Sequence, residues 1–92
     1  MRFEWDEEKR RANIVKHGVD FVDAEEIFSG PMLVGLDQRE EYYEDRWIGL
    51  GLSNGRVLVV VYTEPRQDVL RVISLRKAMR YEQEQFRTAI GD

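Results

Sequence analysis

The sequence predicts an α+β fold in which two N-terminal helices and a C-terminal helix surround a mainly antiparallel sheet of four to five strands. Three observations predict it. Helical signals occupy residues 6–30, strand-like runs occupy 32–76, and helical spacing returns from about Ala78. The two periodicities are separated along the chain, whereas a parallel α/β sheet would alternate them. With 92 residues, 42% of them apolar, one core and a single domain over 1–92 are expected.

The elements follow in order. Met1 to Trp5 alternates Phe3 and Trp5 with charged residues, which suits a short edge strand. Asp6 is placed to cap a helix with Glu7 and Glu8 in its first turn and Lys16 and His17 in its last, stopped by Gly18. Asp20 opens a second helix carrying Phe21, Ala24, Ile27 and Phe28 on one side, closed by Gly30-Pro31. Strand-like runs then cover about 32–36, 42–52, 56–63 and 69–76, with Ser53-Asn54-Gly55 as the clearest turn. Val57 to Val61 is apolar on both faces and predicts a central strand. In the last helix Met79, Phe86, Ala89 and Ile90 share a side opposite Arg80, Glu84 and Arg87.

Composition narrows the function classes. There is no cysteine, so thiolate metal sites, disulfides and a thiol nucleophile are excluded, and a cytoplasmic protein is expected. The longest apolar run, Val57–Tyr62, is too short for a membrane helix, and the first residues are charged rather than signal-like. The net charge of −4 argues against a free, high-affinity nucleic-acid binder. Its distribution is uneven, however. Residues 1–45 hold six Lys/Arg against thirteen Asp/Glu, whereas 66–87 hold six against three. Ordinary solvated faces would also produce this segregation.

Two stretches carry more than composition. FEWDEEKRRANIVKHGVDF contains Phe3, Trp5, Asp6, Lys9, Asn13, Lys16, His17 and Phe21, and RVISLRKAMRYEQEQF contains Ile73, Ser74, Arg76, Lys77, Ala78 and Glu82. In order and spacing the pair resembles the BrnT family of ribonuclease toxins of type II toxin–antitoxin systems. The resemblance implies a RelE-like fold, RNA cleavage that stops translation, and a BrnA-like ribbon-helix-helix antitoxin as partner. It also implies that operator DNA is reached only through that antitoxin. Leu75, Met79 and Pro65 depart from the family pattern, and the missing hydroxyl at 79 removes a hydrogen bond that the position could give to substrate.

Cutting RNA without a metal needs a base for the 2′-OH, an acid for the leaving 5′-oxygen and cations for the developing phosphate charge. No phosphate-binding Gly-rich loop, HExxH or metal-spaced ligand cluster is present, so no metal or cofactor is expected. Arg46, Arg76 and Lys77 are expected to gather on one open sheet face as a phosphate-binding patch, with Arg71, Arg80 and Tyr81 as further RNA contacts. Otherwise the cations pair with Glu44, Asp45 or Glu64 as surface salt bridges.

His17 has the ordinary pKa for proton exchange near neutrality, although a position at a helix end suits capping equally well. Glu82 or Tyr81 could instead handle the proton. Trp5, Trp47, Tyr42, Tyr43 and Tyr62 could stack bases, with core packing the commoner fate at such spacings. Lys9-Arg10-Arg11 is explained by helix pairing with Glu7 or Glu8. The competing function, from a different class, is a toxin-fold module of weak or lost activity that serves as co-repressor with its antitoxin.

Overall fold

Side-chain capping starts the first helix as the sequence predicts. The Asp6 carboxylate accepts from the Glu8 and Lys9 amides at 2.8 and 3.2 Å, and Gly18, at φ +69°, closes the helix by donating to the Ile14 carbonyl at 2.8 Å. The computed structural model describes residues 1–91. Its elements are β1 (Arg2–Glu4), α1 (Glu7–His17), a 3-10 turn (Phe21–Asp23) running into α2 (Ala24–Phe28), β2 (Leu33–Leu36), β3 (Trp47–Ser53), β4 (Arg56–Arg66), β5 (Val69–Lys77) and α3 (Arg80–Ile90). The predicted second helix is thus shorter and tighter than its apolar spacing suggests. Asp20 caps the 3-10 turn through the Val22 amide at 3.1 Å.

The strands form one sheet in the order β1-β5-β4-β3-β2. β2 to β5 make the antiparallel meander that the turn signals predict, with β4 at the centre and Val57 to Val61 all buried. The edge strand β1 runs parallel to β5, Phe3 facing Leu70, which makes the sheet mixed. Three helical segments and three strands separate β1 from β5, so no hairpin dictates an antiparallel return. The strand expected from Tyr42 begins only at Trp47, and residues 38–46 form a loop.

Cross-strand partners share a face, so the register sorts the side chains into two layers. One face packs Leu58, Val60, Tyr62, Leu70, Val72 and Leu75 against Phe21, Ala24 and Ile27, with Trp5 and Trp47 at the margin. The core reading of both tryptophans holds. Gly51 permits this contact: a Cβ there would lie 2.5 Å from Ile27 Cγ2. The other face packs Leu50, Val57 and Val59 against Phe86 of α3, whose burial contributes roughly 1.5–3 kcal/mol.

Two irregularities interrupt the β4–β5 ladder. Val61 faces Ser74 while Tyr62 faces Val72, so Ile73 is an extra residue on β5. Further along, Thr63 faces Arg71 and Arg66 faces Val69, leaving Glu64 and Pro65 opposite Leu70. Pro65 therefore occupies a strand irregularity, where a missing N–H is tolerated, rather than a loop.

Asn13 ties the α1 layer to the sheet. Beyond Arg71 the outer edge of β5 has no partner strand among the described residues, and Asn13 takes that place. Its Oδ1 accepts from the Leu75 amide at 3.2 Å, and its Nδ2 donates to the Leu75 and Val19 carbonyls at 2.7 and 2.9 Å. The residue is buried, so truncation would leave these backbone groups without partners or water. Asn13→Ala is expected to lower stability by roughly 2–4 kcal/mol in urea unfolding, and a loss under about 0.5 kcal/mol would contradict this role.

Candidate functional site

The face under α3 is divided in two. The apolar cluster beneath the helix reaches as far as Ile48. The register continues past it through the row Gly35, Ile48, Val61 and Ser74, and then reaches Thr63 opposite Arg71. The Asp37 amide donates to the Arg46 carbonyl at 2.7 Å, which extends the β2–β3 ladder and places Asp37 and Arg46 beside Thr63. Polar and charged side chains thus replace a helix as the covering of this half. Beside it a groove of about 340 Å³ opens between Glu82 and Gln85 of α3 and Leu36, Ile48 and Leu50 of the sheet.

Arg76 lies across from Val59 on this same face. Its Nη1 and Nη2 donate to the two carboxylate oxygens of Glu82 at 2.9 Å each, and Nη1 also donates to the Lys77 carbonyl at 3.2 Å. The Nε edge of the guanidinium has no partner among the described residues, so half of its bidentate fork remains available to an anion. Glu82 is buried and also accepts from the Met79 amide at 2.8 Å. The Arg76 guanidinium holds its carboxyl below the usual carboxylate range. Glu82 therefore orients Arg76 and caps α3, and an ionised carboxylate engaged in this way is a weak base. Arg76 pairs with Glu82 rather than with Glu44, Asp45 or Glu64.

Arg71 also belongs to this face. Its Nε donates to Glu4 at 2.7 Å, and Arg66 Nη2 donates to the other Glu4 oxygen at 2.6 Å. Arg46 stacks on Tyr42, its guanidinium carbon 4.2 Å from the ring centroid. Tyr42 is thus engaged by an arginine, while Tyr43 is fully exposed. Tyr81 is 59% exposed at the start of α3, in the neighbourhood of Arg76. Arg80 is exposed in the first turn of the same helix.

Lys77 does not join the patch. Strand alternation turns it away from Arg76, and its cross-strand partner Leu58 belongs to the opposite layer. It lines a depression of about 270 Å³ with Gly55, Arg56, Gln83 and Arg87 at the turn end of the sheet. The expectation that Arg46, Arg76 and Lys77 converge is therefore corrected: Arg46, Arg71 and Arg76 share the face.

His17 ends α1, but the Gly18 amide closes that helix, and the His17 ring has no hydrogen bond among the described residues. Burial, helped by the charges of Lys16 and Arg76, lowers its pKa and favours the neutral imidazole. Arg10, in the basic run, bonds Glu7 and Asp20, which satisfies the helix-pairing reading.

The sequence reading missed Asp37 and Arg39. Arg39 Nε and Nη2 donate to the two Asp37 oxygens at 2.8 and 2.7 Å, and the Tyr42 hydroxyl lies 3.2 Å from the second oxygen. The Asp37 side chain is fully buried, and the Arg39 guanidinium draws its pKa down to about 2. No sequence signal distinguishes this pair, because the two residues fall in the short polar stretch between the strand-like runs expected over 32–36 and 42–52.

Fold and face together define a small single-sheet α+β domain with one sheet face shared between a helix and a set of carboxylate-held arginines. Comparison with known proteins places it more narrowly. The family described as "Ribonuclease toxin, BrnT, of type II toxin-antitoxin system" matches residues 5–82, so the chain belongs to the BrnT family. A 1.1 Å crystal structure of the Brucella abortus ribonuclease toxin BrnT is similar at 32% identity and a TM-score of 0.65, over 87% of this chain and 99% of that one. No curated protein matches the chain.

Met79 is the residue preceding α3, with extended φ and ψ, and it has no oxygen with which to cap the helix. The hydroxyl absent at 79 is thus one that would have served the helix. Met79→Ser is expected to stabilise the fold by about 1 kcal/mol, read as a raised melting temperature. An unchanged or lowered value would contradict the capping assignment.

Proposed function

We propose that this chain is a metal-independent endoribonuclease toxin that cuts RNA and inhibits translation in the cytoplasm until a BrnA-like ribbon-helix-helix antitoxin covers its arginine face. The observation that carries the reading is the meeting of Arg46, Arg71 and Arg76 on one face, with Arg76 braced by Glu82 and one edge of its fork open. Operator DNA is contacted through the antitoxin, because the toxin's own net charge of −4 favours no polyanion away from this face.

In the proposed reaction the ribose 2′-oxygen attacks the adjacent phosphorus in line, and the bond to the 5′-oxygen of the next nucleotide breaks. The products are a 2′,3′-cyclic phosphate and a 5′-hydroxyl. Arg76 and Arg46 stabilise the charge that grows on the non-bridging oxygens, a contribution that such fixed donors make at the transition state. Neutral His17 is suited to accept the 2′-hydroxyl proton, and the exposed Tyr81 phenol is suited to supply one to the leaving oxygen. Glu82 acts by positioning Arg76. Arg71 and Arg80 hold flanking phosphates, and Lys77 a phosphate beyond the sheet end.

Purified Arg76→Ala is expected to cut RNA about 10²–10³-fold more slowly than the parent chain, whose own activity persists in EDTA. The variant should also no longer arrest a translation extract. Arrest equal to the parent would overturn the assignment.

A further inference from the structure

We infer that Arg39 and Arg76 form a two-armed clamp on one phosphodiester, Arg39 being set in place by the buried Asp37 as Arg76 is by Glu82. The inference rests on the ribonuclease reading and adds to it a phosphate-binding residue from the loop over 38–46.

The two arginines are built alike. Each donates two hydrogen bonds to one carboxylate, and each carboxylate is withdrawn from water, the Asp37 side chain being fully buried and that of Glu82 11% exposed. A carboxylate that accepts both bonds of a fork fixes the plane of the guanidinium as well as its place. Arg39 presents its Nε and Nη2 edge to Asp37, which leaves its Nη1 donors unpartnered among the described residues. Arg76 presents its Nη1 and Nη2 edge to Glu82, which leaves Nε. Asp37 follows β2 in the row that contains Arg46 and Thr63, so Arg39 is carried over the same face as Arg76.

Two further observations point to an anion between these arms. Arg39 lies close enough to Arg76 for its charge to oppose that of Arg76, a repulsion that a bound phosphate would reverse. In the row of Asp37, Arg46 Nε and Thr63 Oγ1 are buried with no hydrogen-bond partner among the described residues. Buried polar atoms ordinarily find partners, and a water linking them to a bound phosphate would supply one.

The test is binding of a short, uncleavable 2′-O-methylated RNA of mixed sequence, followed by fluorescence anisotropy over a range of salt. The variants are Arg39→Ala and the double change Asp37→Asn with Arg39→Ala, which removes the buried charge together with its partner. Both are expected to weaken binding about tenfold and to lower the salt slope by about 0.7, the contribution of one phosphate contact on a single strand. The double variant separates clamping from loop support. Wild-type affinity and slope in the folded double variant would show that Arg39 only neutralises Asp37 and would overturn the clamp. If the parent chain neither binds this RNA nor cuts its 2′-hydroxyl counterpart, the ribonuclease reading fails and the clamp falls with it. If the parent cuts and only the clamp result is negative, the ribonuclease reading stands.

Discussion

One extra residue in β5 decides what this protein can present to a ligand. Arg71 and Arg76 are five positions apart, and in a regular strand an odd separation sends side chains to opposite faces. Ile73 breaks that parity, because Val61 faces Ser74 while Tyr62 faces Val72. Beyond the bulge Arg71 lies on the same side as Arg76, and Leu70, Val72 and Leu75 can all enter the same apolar layer. Without the insertion either the arginines would part or the core would lose its register. Bulges re-aim side chains in this way at functional edges of sheets.

The charge arrangement follows from that geometry. An arginine drawn onto a sheet face loses hydration, and leaving it unpaired there would be costly. Glu82 answers Arg76, Asp37 answers Arg39 and Glu4 answers Arg71, so the acidic surplus of the chain includes the supports of its cationic face. The negative charge that argues against a nucleic-acid binder in the total is thus partly structural. A carboxylate that is bonded on both oxygens holds an arginine still without consuming its whole donor set. That leaves oriented N–H groups on one sheet face of an otherwise acidic body.

Much of the architecture is legible in the sequence because local chemistry and tertiary need agree there. Asp6, Gly18 and Asn54-Gly55 mark their boundaries through caps and positive φ, and the uninterrupted apolar run Val57–Val61 reads directly as the central strand. The direction of β1 is not legible, since pairing between positions so distant leaves no local signal. The site is legible only in part. Arg76 and Arg71 are visible as charges among apolar residues, but strand alternation already separates Lys77 from its neighbour Arg76, and period-two reasoning cannot see the bulge that brings Arg71 to the face of Arg76. Asp37 and Arg39 are hidden in an acidic loop, because the burial that gives the pair its meaning comes from the sheet beneath it. The hydroxyl absent at Met79 is visible, but its role becomes clear only once α3 is seen to start at Arg80.

The central claim is that RNA seats on the arginine-bearing half of the α3 face. Amide chemical-shift mapping of the labelled chain with an uncleavable RNA tests it most directly. The account predicts shifts centred on Ile48, Val61, Ser74 and the side-chain guanidinium of Arg76, with Ala24, Ile27 and Leu58 on the opposite layer left in place. Shifts centred on that opposite layer, or on the turn-end depression beside Lys77, would contradict it.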